Sequence, residues 1–335
     1  MTEPEHDRVM IDSFGRVVRD MRVSVTDRCN FRCLYCMPED GLPWVPAEDL
    51  LTRDELIRAM RVAIDLGVRT VRITGGEPTL RRDLVDMVAA LAPLGVELSL
   101  TTNGYLMDRL AEPLRDAGLK RVNISIDSLD RDRFKRITRR DGLQRVLRGI
   151  EASLEAGLRP VKINTVVVRG FNDDEIVPMA SWARDLGVEL RFIEFMPLDA
   201  PGDWTRDQVV PAGEVLARID SELGLEPPDT GAVRGSAPAE RYRYRDGNGS
   251  VGIIASVTRA FCAQCDRVRL TADGQIRTCL FAETEYDLRT VLRAGADDEL
   301  VARCYLDAVE RKQWGHRINE PDFVQPARGM SQIGG

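Results

Sequence analysis

Asp65-Leu-Gly67-Val-Arg-Thr-Val-Arg72-Ile-Thr74-Gly75-Gly76-Glu77-Pro78 joins a helical run to a short β-rich run through one glycine. A glycine directly after a helix is the usual left-handed C-cap, so the stretch reads as a helix-to-strand connection. Similar phrases recur at 93–96 (PLGV), 116–119 (DAGL), 155–158 (EAGL) and 185–188 (DLGV). The five glycines lie 23 to 39 residues apart, the spacing of successive βα units. A further strand near 22–26 gives six strands alternating with helices. The expectation is an α/β fold with a parallel sheet, open or curled into a partial barrel.

The strand faces narrow this further. Strands of a parallel sheet are usually apolar on both faces. Here one face is polar at period two: Arg22, Ser24 and Thr26; Arg72 and Thr74; Ser99, Thr101 and Asn103; Asn123, Ser125 and Asp127; Lys162 and Asn164. Flanking helices cover the outside of such a sheet, so a shared polar row implies a wet interior. A packed eight-stranded barrel would fill that space with aliphatic side chains.

After about residue 205 the repeat stops. Residues 226–250 are rich in Pro, Gly, Arg and Tyr, short strands are expected near 242–245 and 251–255, and a helical tail follows. The division expected is a barrel over 1–225 and a smaller C-terminal domain over 226–335.

The 335 residues are 43% hydrophobic and 30% charged, which describes a globular chain. A net charge of −7 argues against a general nucleic-acid coat, yet leaves room for a local basic pocket. No run approaches the roughly 18 apolar residues of a membrane helix, and the polar, acidic N-terminus does not read as a secretory signal. A cytoplasmic protein is expected, with no membrane partner. Only Lys120, Lys135, Lys162 and Lys312 are lysine among 47 basic residues. Genome composition accounts for most of that bias, but a retained lysine also suits a place needing a compact ammonium.

Six of the seven cysteines fall into two groups, and without an export signal they do not read as a disulfide framework. Cys304 stands alone in a helical stretch and reads as a small core residue. Cys29, Cys33 and Cys36 form a C-x3-C-x2-C run after the first strand. Three such thiolates suit three irons of a cubane cluster and leave the fourth iron open for chemistry. A structural zinc would want a fourth nearby ligand, and His6 and His316 are both far away in sequence. Cys262, Cys265 and Cys279 make a second trio, C-x2-C-x13-C. It fits a second cluster, or a zinc knuckle completed by a distant residue such as Cys304. Arg267 and Arg269 follow on an extended stretch that points both the same way.

The first run, with Tyr35 before its last cysteine, resembles the signature of the radical S-adenosylmethionine (radical SAM) superfamily. Gly75-Gly76-Glu77-Pro78 stands at the end of the second strand, where that superfamily binds the methionyl amino group of SAM. The resemblance implies a partial (β/α)6 TIM-type barrel with a smaller iron–sulfur domain closing it. More narrowly, the chain is similar to the molybdenum cofactor biosynthesis protein A family, the GTP 3′,8-cyclases. That similarity rests on SVTDRCNFRCLYCMP (24–38), RITGGEPTLR (72–81), TTNG (101–104), NISIDSLD (123–130), RFIEFMP (191–197), FCAQCDRVRL (261–270) and the terminal Gly334-Gly335.

It implies a lyase that uses two [4Fe–4S] clusters and SAM to join ribose C3′ of GTP to guanine C8, the first step of molybdenum cofactor synthesis. Cys29, Cys33 and Cys36 would hold the SAM cluster, with Tyr35, Gly76, Ser125 and Met196 lining the SAM pocket. Cys262, Cys265 and Cys279 would hold the second cluster, whose open iron meets the guanine. Arg22, Arg72, Thr101, Lys162, Arg267, Val268 and Arg269 would contact GTP, and Gly334 and Gly335 would reach toward the active site. An external electron donor, a homodimer and delivery of product to a cyclic pyranopterin monophosphate synthase are implied as well. A peptide-modifying radical SAM maturase and a non-catalytic iron–sulfur electron carrier are the rival readings; neither needs a triphosphate-binding row.

Overall fold

The structure, a computed structural model, describes residues 8–198, 202–227 and 236–334. The six expected strands are β1 (Asp20–Ser24), β2 (Thr70–Thr74), β3 (Glu97–Thr102), β4 (Arg121–Ser125), β5 (Val161–Val167) and β6 (Glu189–Glu194). Between them run α1 (Arg53–Asp65), α2 (Leu84–Leu91), α3 (Met107–Asp116), α4 (Arg131–Thr138), α5 (Leu143–Glu155) and α6 (Ile176–Leu186). Helix α7 (Ala212–Leu223) follows β6.

Helix α1 shows how local chemistry sets the repeat. Thr52 Oγ1 accepts from Glu55 N at 3.2 Å while Glu55 Oε2 accepts from Thr52 N at 2.7 Å, a capping box that satisfies two otherwise orphaned donors. The helix buries Leu56, Ala59, Met60 and Ala63 against the sheet and stops where Gly67 takes φ +100°. Gly95, Gly118, Gly157 and Gly187 likewise have φ between +71° and +109°, as the repeated phrase predicts.

The region after residue 225 adds five short strands. Its strands are β7 (Glu240–Arg243), β8 (Ser250–Ile254), β9 (Arg267–Leu270), β10 (Gln275–Arg277) and β11 (Tyr286–Asp287). They join the same sheet, whose order is β11-β10-β9-β1-β2-β3-β4-β5-β6-β8-β7. Strand β9 pairs parallel with β1 and β8 parallel with β6, so each edge of the six-stranded core gains one parallel strand. The division expected at 225 therefore does not interrupt the sheet. Helices α8 (Leu288–Arg293), α9 (Asp298–Glu310) and the short α10 (Met330–Ile333) complete the chain. Cys304 lies on α9 and packs against the core, as expected.

One sheet face is apolar. Val23, Ile73, Leu98, Leu100, Val122, Ile124, Ile163 and Leu190 are at most 1% exposed beneath the helices. Each such side chain contributes about 1.5–3 kcal/mol. The opposite face carries the polar row, and the register aligns it: Arg269, Arg22 and Arg72 sit side by side across β9, β1 and β2. Ser125, Asn164 and Arg191 align in the same way across β4, β5 and β6. Among the described residues no helix is long and apolar enough to cross a membrane.

Candidate active site

The first cysteine loop is fixed by the turn that follows β2. Gly76 N donates to Thr26 O at 2.7 Å, and Glu77 N donates to Arg28 O at 2.7 Å, immediately before Cys29. The approach is so close that a Cβ on Gly76 would lie 2.4 Å from Asp27 O and 2.5 Å from Arg28 O. The absence of a side chain here is thus a packing requirement of the cysteine loop itself. Buried Glu77 accepts from Thr79 N, Thr102 Oγ1 and Asn103 N at 3.0, 2.6 and 2.7 Å. Asn103 in turn donates to Asn30 Oδ1 at 2.8 Å, so the loops after β1, β2 and β3 form one hydrogen-bonded unit.

Tyr35 anchors the far side of this loop by donating to Asp127 Oδ2 at 2.6 Å, just past β4. Asp127 Oδ1 accepts from Val166 N at 2.9 Å on β5. Burial raises the Asp127 carboxyl to about 6 despite those donors. The thiols are pushed up too: Cys29 to about 12 by burial and the nearby Glu77 charge, Cys36 to about 11 by burial. Cys33 rises through burial and the Asp127 charge. Without a cationic centre this loop holds neutral thiols, and binding one releases their protons.

Cys262 and Cys265 flank a single 3-10 turn ahead of β9, and Cys279 follows β10. Gly315 packs against them so tightly that a Cβ there would lie 2.8 Å from Cys262 Sγ. Arg16, ion-paired to Asp12 at 2.6 Å, donates to Cys262 O at 2.7 Å and Trp314 O at 2.6 Å. It clamps the N-terminal segment and the tail onto this trio. Burial works to raise Cys265, but Arg267 and Lys312 outweigh it and bring the thiol down to about 7. Among the described residues, no three His, Cys, Asp or Glu side chains converge as a site for a single metal ion. A cubane takes each thiolate on a different iron and needs no such convergence.

One cavity of about 1340 Å³, part of it open to solvent, joins these parts. It is lined by Cys262, Cys265, Cys279, Tyr35, Ser125 and Met196, and by Arg22, Arg72, Thr101, Arg267 and Arg269. Burial, then repulsion from Arg22, lowers Arg72 to about 9. The Nε atoms of Arg22, Arg72 and Arg267 are buried without a hydrogen-bond partner. Like charges held this close repel one another; buried Asp20 offsets them in part, and an anion in the cavity would relieve the rest.

Seven of the expected residues that the structure describes stand outside that lining: Cys29, Cys33 and Cys36, whose loop reaches it through Tyr35, and Lys162, Val268, Gly76 and Gly334. Lys162 points to the polar face but lies 3.7 Å from Glu189, and burial followed by Arg191 lowers it to about 8. The Val268 side chain is fully buried in the apolar core on the other face, which leaves only its main chain for a ligand. Gly76 acts from behind, through the loop contact above. Gly334 (φ +82°) accepts a hydrogen bond from Arg269 Nη1, and a Cβ on it would meet Thr74 Cγ2 at 2.7 Å. Gly335 is outside the described residues.

Arg191, His316 and Phe281 also line the cavity, and the sequence does not single them out for it. Arg191 is the fifth arginine of the wall and donates to Glu189 Oε1 at 2.6 Å. Its signal was present in Arg191-Phe-Ile193, but the apolar Ile193 breaks the alternation two residues on.

Residues 23–183 match the Radical SAM superfamily and residues 188–318 match the Molybdenum Cofactor Synthesis C family. Two solved structures of Streptococcus suis SuiB share the fold at 14–15% identity. The one bound to S-adenosylmethionine has TM-score 0.59, covering 90% of this chain and 69% of SuiB. The one bound to precursor peptide SuiA has TM-score 0.61, covering 94% and 76%. The parallel barrel sheet, with its cysteine loop pinned by Gly76, is that of a radical SAM enzyme, a class that uses an iron–sulfur cluster and SAM. GTP 3′,8-cyclase of Streptomyces coelicolor is 52% identical over 335 residues, 99% of this chain and 98% of the relative. That of Corynebacterium glutamicum is 48% identical over 341 residues, 98% and 90%. The chain belongs to the GTP 3′,8-cyclase family.

Proposed function

We infer that this protein is a radical SAM lyase that cyclises GTP to (8S)-3′,8-cyclo-7,8-dihydroguanosine 5′-triphosphate, the first step of molybdenum cofactor synthesis. The observation that carries the substrate half is that buried arginines and a thiol trio line one cavity. A triphosphate carries about four negative charges, and guanidinium forks suit its oxygens.

In this reading Cys29, Cys33 and Cys36 hold the first [4Fe–4S] cluster, and Tyr35, Gly76, Ser125 and Met196 shape the SAM pocket. Bound there, the cluster and SAM would supply the radical chemistry that a C–H bond too inert for any general base requires. Cys262, Cys265 and Cys279 would hold a second [4Fe–4S] cluster, which would supply an open iron for the guanine. Arg22, Arg72, Thr101, Lys162, Arg267, Arg269 and the main chain of Val268 hold the nucleotide, and Arg191 joins them. The Arg269–Gly334 hydrogen bond brings the tail to the phosphate wall, which gives the Gly-Gly end a role there. An external one-electron donor, a homodimer, a cytoplasmic location and transfer of product to a cyclic pyranopterin monophosphate synthase complete the proposal, on family resemblance.

The test is turnover by the anaerobically reconstituted protein with SAM and dithionite, offered GTP, ATP or a peptide. A cyclised product from GTP alone supports the reading. Equal SAM cleavage with ATP or peptide, and no cyclised nucleotide, would overturn the substrate assignment.

A further inference from the structure

Lys312 is one of four lysines in the chain and the most buried, at 3% exposure. Its ammonium donates to Arg267 O at 2.5 Å and lies 3.6 Å from Cys265 Sγ. Burial, and then Arg16 and Arg267, act against its charge, while Cys265 and Cys279 act in its favour. An ammonium taken out of water needs a counter-charge, and no ion pair with a carboxylate supplies one here among the described residues. Three thiolates around a [4Fe–4S] core are net negative in both oxidation states, and more so when reduced. The thiol trio, once it carries a cluster, is therefore the missing counter-charge.

We propose that Lys312 is a positioning residue of the second cluster, giving Cys265 an N–H···S contact that raises the cluster's reduction potential and holds the strand bearing Arg267 in place. Hydrogen bonds and charges around cluster sulfurs are established levers on potential. The inference rests on the reading of Cys262, Cys265 and Cys279 as cluster ligands.

The test uses the full chain with Cys29→Ala, Cys33→Ala and Cys36→Ala, so that only the second site assembles. Iron, sulfide and the EPR-monitored midpoint potential are measured with Lys312 intact and in K312M, K312Q and K312R. K312M is expected to retain a cluster whose midpoint is shifted to more negative values, with K312Q similar and K312R close to the parent. Iron-free K312M is expected to melt no lower than the iron-free parent, since the counter-charge is the cluster. A K312M cluster with unchanged midpoint and EPR signal overturns the inference and leaves the cluster reading standing. Absence of iron in the parent background overturns both. Should K312M lose its cluster, recovery in K312R supports the ammonium's role, and failure of K312R as well as K312M contradicts it.

Discussion

The Tyr35 hydroxyl donates to the Asp127 carboxylate at 2.6 Å, tying the first cysteine loop to the end of β4. Asp127 is buried, so its lost partner would not be replaced by water at no cost. Outer-shell partners of metal ligands typically matter 10–100-fold in affinity or activity. Tyr35→Phe is expected to keep its iron but cleave SAM about 10–100-fold more slowly. Iron content and 5′-deoxyadenosine formation, measured on one sample, check this; unimpaired cleavage would show that the hydrogen bond does not matter.

Gly76→Ala forces a Cβ against Asp27 O and Arg28 O, so the segment leading into Cys29 must move. The expected outcome is selective loss of the first cluster, with iron falling to about half and the second site retained. Iron analysis alongside the EPR of the second site decides it. Full iron loading would mean the two loops tolerate separation.

Arg72 is buried beside Arg22 with its Nε unpartnered, and Asp20 offsets their repulsion only in part. Arg72→Met should raise the melting stability by about 0.5–2 kcal/mol while weakening GTP binding roughly tenfold or more. Calorimetric melting and equilibrium binding measure the two effects. A variant that loses both stability and affinity would contradict the charge argument.

Lys162 carries a depressed proton affinity of about 8, set by burial and by Arg191. Below that pH it is cationic; above it the free enzyme is neutral there, and binding a phosphate must first recover a proton. GTP affinity is therefore expected to fall as pH rises through about 8, and Lys162→Arg should flatten the profile because arginine stays charged. A wild-type profile that is flat between pH 7 and 9 would remove Lys162 from the phosphate contacts.

Much of this site was legible in the sequence because local rules govern it. Glycine C-caps at Gly67 and Gly187 mark helix-to-strand joints, and period-two polarity from Arg22 to Asn164 marks the cavity face. What was not legible depends on distant pairing. The parallel docking of β8 on β6 and β9 on β1 places the C-terminal strands at both edges of the barrel sheet, and nothing local to those strands specifies it. Glu189 neutralises Lys162 only once β5 and β6 align in register. Val268 read as part of a binding stretch, yet in a strand flanked by Arg267 and Arg269 it must face the opposite side, where the core is. Lys312 stood out only as a rare lysine until the tail was seen against Cys265.

In the proposed function, this cavity directs a radical to the ribose of GTP. The most direct measurement is anaerobic turnover with SAM, dithionite and GTP carrying deuterium at C3′, followed by mass analysis of the 5′-deoxyadenosine formed. Deuterium passing into 5′-deoxyadenosine, with formation that depends on GTP, is the predicted result. Formation of unlabelled 5′-deoxyadenosine at the same rate with and without GTP would contradict it, leaving a radical enzyme whose substrate is something else.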